Sequence, residues 1–411
     1  MVGGGVVLRA ICKVLFLLMS ALLLPRFLLL YAPQQQIISA RLSGEDSKTQ
    51  LGVEQYTDFL RQAKLDLSGK KILLVTNQMP DKWSHKYLQF LADHGVVPHV
   101  ICRMHYNAIT TKLGDGAQPD TFKRAVQIID TFAAKDVKRA DVVLVDLQNS
   151  GFAVDDAIKD LVYVMQQCLR YKKQLIILDR PNPLGYLLEG PLVQVLDTKT
   201  KFLLPLRYAM SIGEVANYAN KQLLKNDLTM LVVPLQHHLR NGLVEFDQMQ
   251  KVYTAGLFEM LKGTIPAEIK SDCRSNFQCL ALPEYLNFSV DKWYKLRAAL
   301  WHSNVEVSLC RYFNRKTEQY FEGVRLAIDD INRVSYLKVW QTFFRFMSSA
   351  NIKIRPTLLF NNVFGETRAV EFMTGNPSLA SIEFWNDELK RFYQEVKPCL
   401  IYRPWPMKVL L

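Results

Sequence analysis

From Lys70 to Pro234 short apolar runs alternate with stretches of helical periodicity. Lys71-Ile-Leu-Leu-Val-Thr76, Val96 to Ile101, Asp141-Val-Val-Leu-Val-Asp-Leu-Gln148, Gln174 to Asp179 and Leu228 to Pro234 read as strands. Between them lie predicted helices over Ser84 to Gly95, with a glycine stop, Phe122 to Ala134, and Val154 to Tyr171. Ser211-Ile-Gly-Glu214 is a capping box that opens a further helix to about Leu224. Strands apolar at nearly every position are buried on both faces, so this rhythm predicts a parallel sheet covered by helices.

The pattern changes near residue 235. Gly242 to Trp301 reads as irregular and turn-rich, and Gly323-Val-Arg-Leu-Ala-Ile-Asp329 as a strand of a mixed sheet. Ser335 to Ser349 and Ala380 to Val396 read as aromatic-rich amphipathic helices. The expected fold class is α/β: a Rossmann-like parallel-sheet domain over 70–235, then a smaller α+β domain over 236–411. Residues 45–69 form a polar tether ending in a docking helix.

The first 44 residues add an N-terminal membrane segment. Arg9 and Lys13 precede the apolar run Val14 to Pro25, Arg26 interrupts, and Phe27-Leu-Leu-Leu-Tyr31 resumes. Counted through Arg26 the run is long enough to span a bilayer. It is read as an uncleaved single-pass signal-anchor with the body outside the cytoplasm, lumenal or extracellular. The alternative is a cleaved signal and a secreted protein. Seven cysteines occur among 411 residues. Cys273 and Cys279 are spaced to close a small disulfide loop or to remain two thiols, while Cys102 and Cys168 sit in core-like contexts. Asn287-Phe-Ser289 is a glycosylation sequon. The formal net charge of +12 favours anionic surroundings. No basic run with interleaved aromatics indicates a nucleic-acid partner.

Several chemistries are unsupported. No Gly-x-Gly-x-x-Gly or phosphate-cradling loop follows the first strand. None of the seven histidines has His-Glu-x-x-His spacing, and His237-His238 is read as surface. Ala209-Met-Ser-Ile-Gly213 lacks the first glycine of a nucleophile elbow. What remains is a set of polar residues at strand ends: Asn77, Asp146, Gln148, Asp179, Arg180 and Asn182, with Glu189 and Arg207 further on. Ligands of open α/β sheets bind beyond the strand carboxyl ends. Carboxylates beside amide and guanidinium donors suit a polyhydroxylated ligand.

At these residues the chain resembles the exo-β-N-acetylmuramidases around bacterial NamZ, a family first described as a domain of unknown function. The resemblance runs from about Lys70 to Tyr402. It is carried by Leu73-Leu-Val-Thr-Asn77, Val145-Asp-Leu-Gln148, Leu178-Asp-Arg-Pro-Asn-Pro-Leu-Gly185 with Glu189-Gly-Pro191, and Pro205-Leu-Arg207 with Met210-Ser-Ile-Gly-Glu214. Gly323-Val-Arg-Leu and Trp385 to Tyr402 resemble later family segments. The resemblance implies a Rossmann-like domain joined to a smaller C-terminal one, a sugar cleft between them, a peptidoglycan-like carbohydrate ligand, and no metal or organic cofactor.

The departures concern chemistry. The family's Glu-His-Gly is here Arg103-Met-His-Tyr106, with Met104 in the acid's place, and a thioether transfers no proton. Its Arg-His-Gly-Met is Arg207-Tyr-Ala-Met210, without the imidazole. A charged family segment is replaced by Trp301 to Cys310, which retains Glu306. The first expectation is therefore a divergent, membrane-anchored member that binds an amino sugar or glycan, its muramidase activity weak or lost. The second is an active exo-glycosidase using Asp146, Glu189 or Glu306 as replacement carboxylates. The third is a structural or partner-binding protein in which the rim residues brace the fold.

Overall fold

Every residue of β1 (Ile72–Thr76) and of β4 (Val142–Asp146) is buried, because the sheet they form is covered on both faces. With β2 (Val100–Arg103), β3 (Gln127–Ile129), β5 (Gln174–Leu178) and β8 (Met230–Val233) they make a six-stranded sheet in the order β3-β2-β1-β4-β5-β8. All of its pairings are parallel. Leu73, Val75, Val143, Val145, Leu175 and Ile177 point to one face, and Ile72, Leu74, Val142, Leu144, Ile176 and Leu178 to the other. The computed structural model describes residues 51–62, 65–77, 93, 96–104, 127–129, 133–196, 201–240, 249–265, 268–271, 278–283, 289–301, 303–314, 318–374, 379–402 and 408–409.

Tyr56, Phe59 and Leu60 of α1 (Gly52–Gln62) pack on the second face, so the predicted docking helix is present. On the first face lie α3 (Asp156–Tyr171) and α4 (Ile212–Leu224). Asp155 caps α3, accepting from Ala157 N–H at 3.0 Å. Ser211 and Glu214 form the capping box of α4.

Some expectations are corrected. Gln127 to Ile129 is an edge strand rather than part of a helix over Phe122 to Ala134; pairing with β2 overrides the local periodicity, and the helix α2 (Ala134–Arg139) starts beyond it. Gly242 to Trp301 contains α5 (Met249–Leu261), β9 (Glu268–Ser271), β10 (Gln278–Pro283) and α6 (Val290–Trp301). The Gly323 strand, β12 (Gln319–Ala327), pairs antiparallel with β10 and with β11 (Glu306–Asn314). Its sheet, ordered β11-β12-β10-β9, is antiparallel throughout rather than mixed. The stretch after Tyr186 makes a hairpin, β6 (Leu187–Gln194) and β7 (Leu203–Arg207), that the sequence pattern did not reveal. The short β13 (Lys408–Val409) adds to β6.

The later helices α7 (Tyr336–Ser349), α8 (Leu358–Phe364), α9 (Glu366–Met373) and α10 (Leu379–Val396) share one apolar core with the first face of the parallel sheet. Thr49 to Leu411 cluster as one unit. Among the described residues no helix is long and apolar enough to cross a membrane. The leader, Cys273, Asn287 and all but Asp93 of the Ser84 to Gly95 helix lie outside the described residues.

Candidate functional site

The strand order reverses between β1 and β4: the chain leaves β1 toward β2 and later returns to the other side. Such a reversal opens a crevice at the carboxyl ends. Asn77 stands there, one residue past β1, and exchanges two hydrogen bonds with Gln148 beyond β4. Asn77 Nδ2 donates to the Gln148 carbonyl, and Gln148 N–H donates to Asn77 Oδ1, each at 2.8 Å. Gln148 Nε2 donates to the carbonyls of Asn149 and Pro181 at 2.9 and 3.0 Å. Asp146, the last residue of β4, is fully buried. Arg180 donates to both its carboxylate oxygens, through Nε to Oδ1 and through Nη2 to Oδ2 at 2.9 Å. This two-pronged geometry is the strongest form of the Arg–carboxylate pair.

Asp179, at the end of β5, is fully buried. It accepts from the N–H groups of Arg180 and Gly213 at 2.8 and 2.7 Å, and from the hydroxyls of Ser211 and Tyr402 at 2.8 and 2.5 Å. Gly213 lies in the first turn of α4, and a Cβ there would come within 2.9 Å of Asp179 Cγ. The helix start can therefore approach the carboxylate only with glycine. Burial pushes the Asp179 pKa up to about 7 against the pull of these donors. His238 meets Tyr402 edge-on, ring centroids 4.9 Å apart, and burial lowers its pKa to about 4. Asn182 fixes the proline loop, donating to the Met210 carbonyl at 3.1 Å and accepting from Leu184 N–H at 2.8 Å.

Glu189 and Arg207 belong to the β6–β7 hairpin, not to the parallel sheet. Glu189 accepts from Ser335 Oγ at 2.5 Å and from the N–H groups of Tyr336 and Leu337 at 3.1 Å each. It thereby caps the start of α7. Arg207 donates to Glu189 at 3.2 Å and to the carbonyls of Val334, Leu184 and Ile331 at 2.7, 2.8 and 3.2 Å. Its guanidinium lies 4.9 Å from the Tyr336 ring centroid. Glu306 is exposed, at the start of β11 in the antiparallel sheet.

Asp146, Gln148, Asp179 and Arg180 thus gather with Asn77 at adjoining strand ends, Asn182 braces the loop beside them, and Glu189 and Arg207 join the hairpin to α7. Sequence reasoning passed over Asn149, which follows Gln148 in the same turn. It is fully buried, and among the described residues its amide meets the Tyr208 hydroxyl in a contact too poorly aligned to satisfy either end. Burial raises the pKa of the Tyr208 hydroxyl well above the usual phenol value. Sequence reasoning missed Tyr402 as well; it lies 223 positions from Asp179, too far for any local pattern. Among the described residues no cluster of His, Cys, Asp and Glu is arranged to hold a metal ion.

The profile of the family described as "Exo-beta-N-acetylmuramidase NamZ, N-terminal" matches residues 123–256, a span containing every candidate above except Asn77, Glu306 and Tyr402. A curated relative from Bacillus subtilis (strain 168), the "Peptidoglycan beta-N-acetylmuramidase NamZ", is 30% identical over 114 residues. That match spans 27% of this chain and 27% of the relative. Two crystal structures of DUF1343 family proteins from Bacteroides fragilis NCTC 9343 share the fold. One has a TM-score of 0.64 at 17% identity over 87% of this chain and 99% of its own. The other has 0.60 at 18% over 87% and 100%.

Proposed function

We propose that this chain, a NamZ-like family member, binds an N-acetylated amino sugar or a glycan containing one at the carboxyl edge of its parallel sheet, with exo-β-N-acetylmuramidase activity weak or lost. The observation that carries this reading is Asn149. A buried amide whose ends lack well-aligned hydrogen bonds, as here beside the Tyr208 hydroxyl, costs up to about 1–3 kcal/mol per group. It offers one donor face and one acceptor face, the complement of an acetamido group. The flanking residues Asn77, Gln148 and Asn182 are held by hydrogen bonds, so the surroundings of Asn149 are rigid.

The loss of activity follows from what occupies the chemical positions. Met104 and Tyr208 stand where the resembled family carries an acid and an imidazole. Two of the three replacement carboxylates are already engaged, Asp146 by Arg180 and Glu189 by Arg207 and the start of α7, while Glu306 stands exposed on the antiparallel sheet. Glycoside hydrolysis needs two carboxyl groups flanking the scissile bond, one of them protonated. In this reading the apolar leader holds the body at a membrane, outside the cytoplasm.

Calorimetry with N-acetylmuramic acid and N-acetylglucosamine tests the proposal, with glucosamine as control. Binding of the acetylated sugars, lost in Asn149→Leu while stability changes by less than about 1 kcal/mol, is the expected result. Absence of binding to any of them favours a second reading, in which the edge only braces the fold; the internal pairing of Asn77, Asp146, Asp179 and Arg180 is what speaks for it. Hydrolysis of a chromogenic N-acetylmuramide above buffer would instead establish an active glycosidase.

A further inference from the structure

The antiparallel sheet brings together two sulfurs that their spacing in the sequence does not pair. Cys279 lies on β10 and Cys310 on β11, with β12 between them. Gly323 of β12 stands opposite Cys310 on one side and Ala281 on the other. Because Gly323 has no side chain, β10 closes over it: a Cβ there would lie 2.1 Å from the Leu280 carbonyl oxygen. Cα atoms of the two outer strands come within 8 Å of each other as a result. The Cys279 and Cys310 thiols meet in a hydrogen bond, and Arg325 Nε donates to Cys279 Sγ at 3.5 Å.

The two thiols differ in access. Cys279 is buried, whereas Cys310 is half-buried and lines an open surface pocket beside Leu309, Arg311 and Glu322. A reagent can thus reach Cys310, whose thiol pKa is raised by the hydrogen bond with Cys279 and by burial while the Arg325 guanidinium pulls it down. The described cysteines, Cys102, Cys168, Cys279, Cys310 and Cys399, are all in the thiol form.

We propose that Cys279 and Cys310 are a disulfide-forming pair, closed across Gly323 by exchange with a small-molecule disulfide such as oxidised glutathione. Cys310 attacks one sulfur of the reagent, forming a mixed disulfide and releasing one thiol, which takes up the Cys310 proton. Cys279, beside Arg325, then attacks Cys310 Sγ as it loses its proton, forming the protein disulfide and releasing the second thiol, which takes up that proton. The protein dithiol is oxidised and the reagent disulfide is reduced to two thiols. The cross-link ties β10 to β11 and closes a loop of about thirty residues, a length at which a disulfide raises the melting temperature by on the order of 5 °C.

The full chain is oxidised in a glutathione redox buffer and digested with trypsin under non-reducing conditions. Cleavage after Arg274 and Arg297 separates Cys273, Cys279 and Cys310 onto different peptides. The expected result is a Ser275–Lys292 peptide linked to Ala298–Arg311, loss of two thiols per chain, and a rise in melting temperature absent from Cys310→Ser. A Cys273–Cys279 link overturns the proposal, as does glutathione left on Cys310 with no cross-link, or two thiols that resist oxidation. The mapping of the wild-type chain decides the matter alone if Cys279→Ser does not fold.

Discussion

Two buried polar regions stand close in the sequence and differ in how their hydrogen-bonding capacity is used. At the hairpin, Glu189 meets a guanidinium, a hydroxyl and two helix N–H groups, while Arg207 meets that carboxylate and three carbonyls. A carboxylate at the start of a 14-residue helix also gains from the helix dipole. This junction joins β6, β7 and α7. At the sheet edge, Asp146 and Asp179 are likewise paired, yet the buried Asn149 amide makes no well-aligned hydrogen bond. Buried polarity by itself therefore does not mark a ligand site, and the proposed site rests on the poorly satisfied Asn149 amide instead.

The largest effect that separates the regions is at Arg207. Arg207→Leu leaves the Glu189 charge buried without its cation and three carbonyls without a donor, so a loss of about 3–5 kcal/mol is expected in urea unfolding. A loss under about 1 kcal/mol would show that the junction does not hold the hairpin to α7. Arg180→Met tests the edge in the same way, with an expected loss of about 3 kcal/mol. Adding Asp146→Asn should recover a large part of it, since the double variant removes both charges. If the double variant is as unstable as Arg180→Met, the cost lies in lost packing and not in a stranded carboxylate.

These regions differed in how far the sequence disclosed them. The parallel sheet was legible because strands such as Ile72-Leu-Leu-Val and Val142-Val-Leu-Val are apolar on both faces, and because Asp155, Ser211 and Ser335 cap the helices that follow them. The edge residues could be grouped because strands of a parallel sheet deliver their carboxyl ends to one side. The partners of Glu189 lie 146 to 148 positions away on α7, beyond any local pattern. The hairpin was hidden by Gly190, Pro191 and Pro205, which read as loop punctuation, and β3 by its length of three residues. Spacing alone leaves Cys279 either paired with Cys273 or a thiol, whereas the nearness of Cys310 depends on the sheet register, which no local pattern carries.

A smaller effect depends on pH. Asp179 has a folded pKa pushed up to about 7, above its unfolded value near 4, so the folded state holds the proton more tightly. The stability this contributes is complete below about pH 4 and is lost as pH rises toward 7. The melting temperature of the wild-type chain should fall across that window more steeply than that of Asp179→Asn. The difference should be a fraction of the ~1.4 kcal/mol per pH unit that one coupled proton allows. Parallel curves would mean that the four donors around Asp179 keep it ionised throughout.

The smallest effect lies between the two regions. Ala209 follows Arg207 by two residues and leads into the Met210 carbonyl that Asn182 binds. Its backbone has φ of 58°, the left-handed region where a Cβ crowds the following carbonyl at a cost of about 1–2 kcal/mol. The resembled family carries glycine at the matching position, in its Arg-His-Gly-Met segment. Ala209→Gly relieves the crowding but makes the unfolded chain more flexible, which offsets about 0.5–1 kcal/mol of the gain. A net stabilisation of about 0.5 kcal/mol is expected in urea unfolding, with the Arg207 and Asn182 contacts unchanged. Destabilisation would mean that the Ala209 methyl, which is buried in the main core, contributes more by packing than it costs by strain.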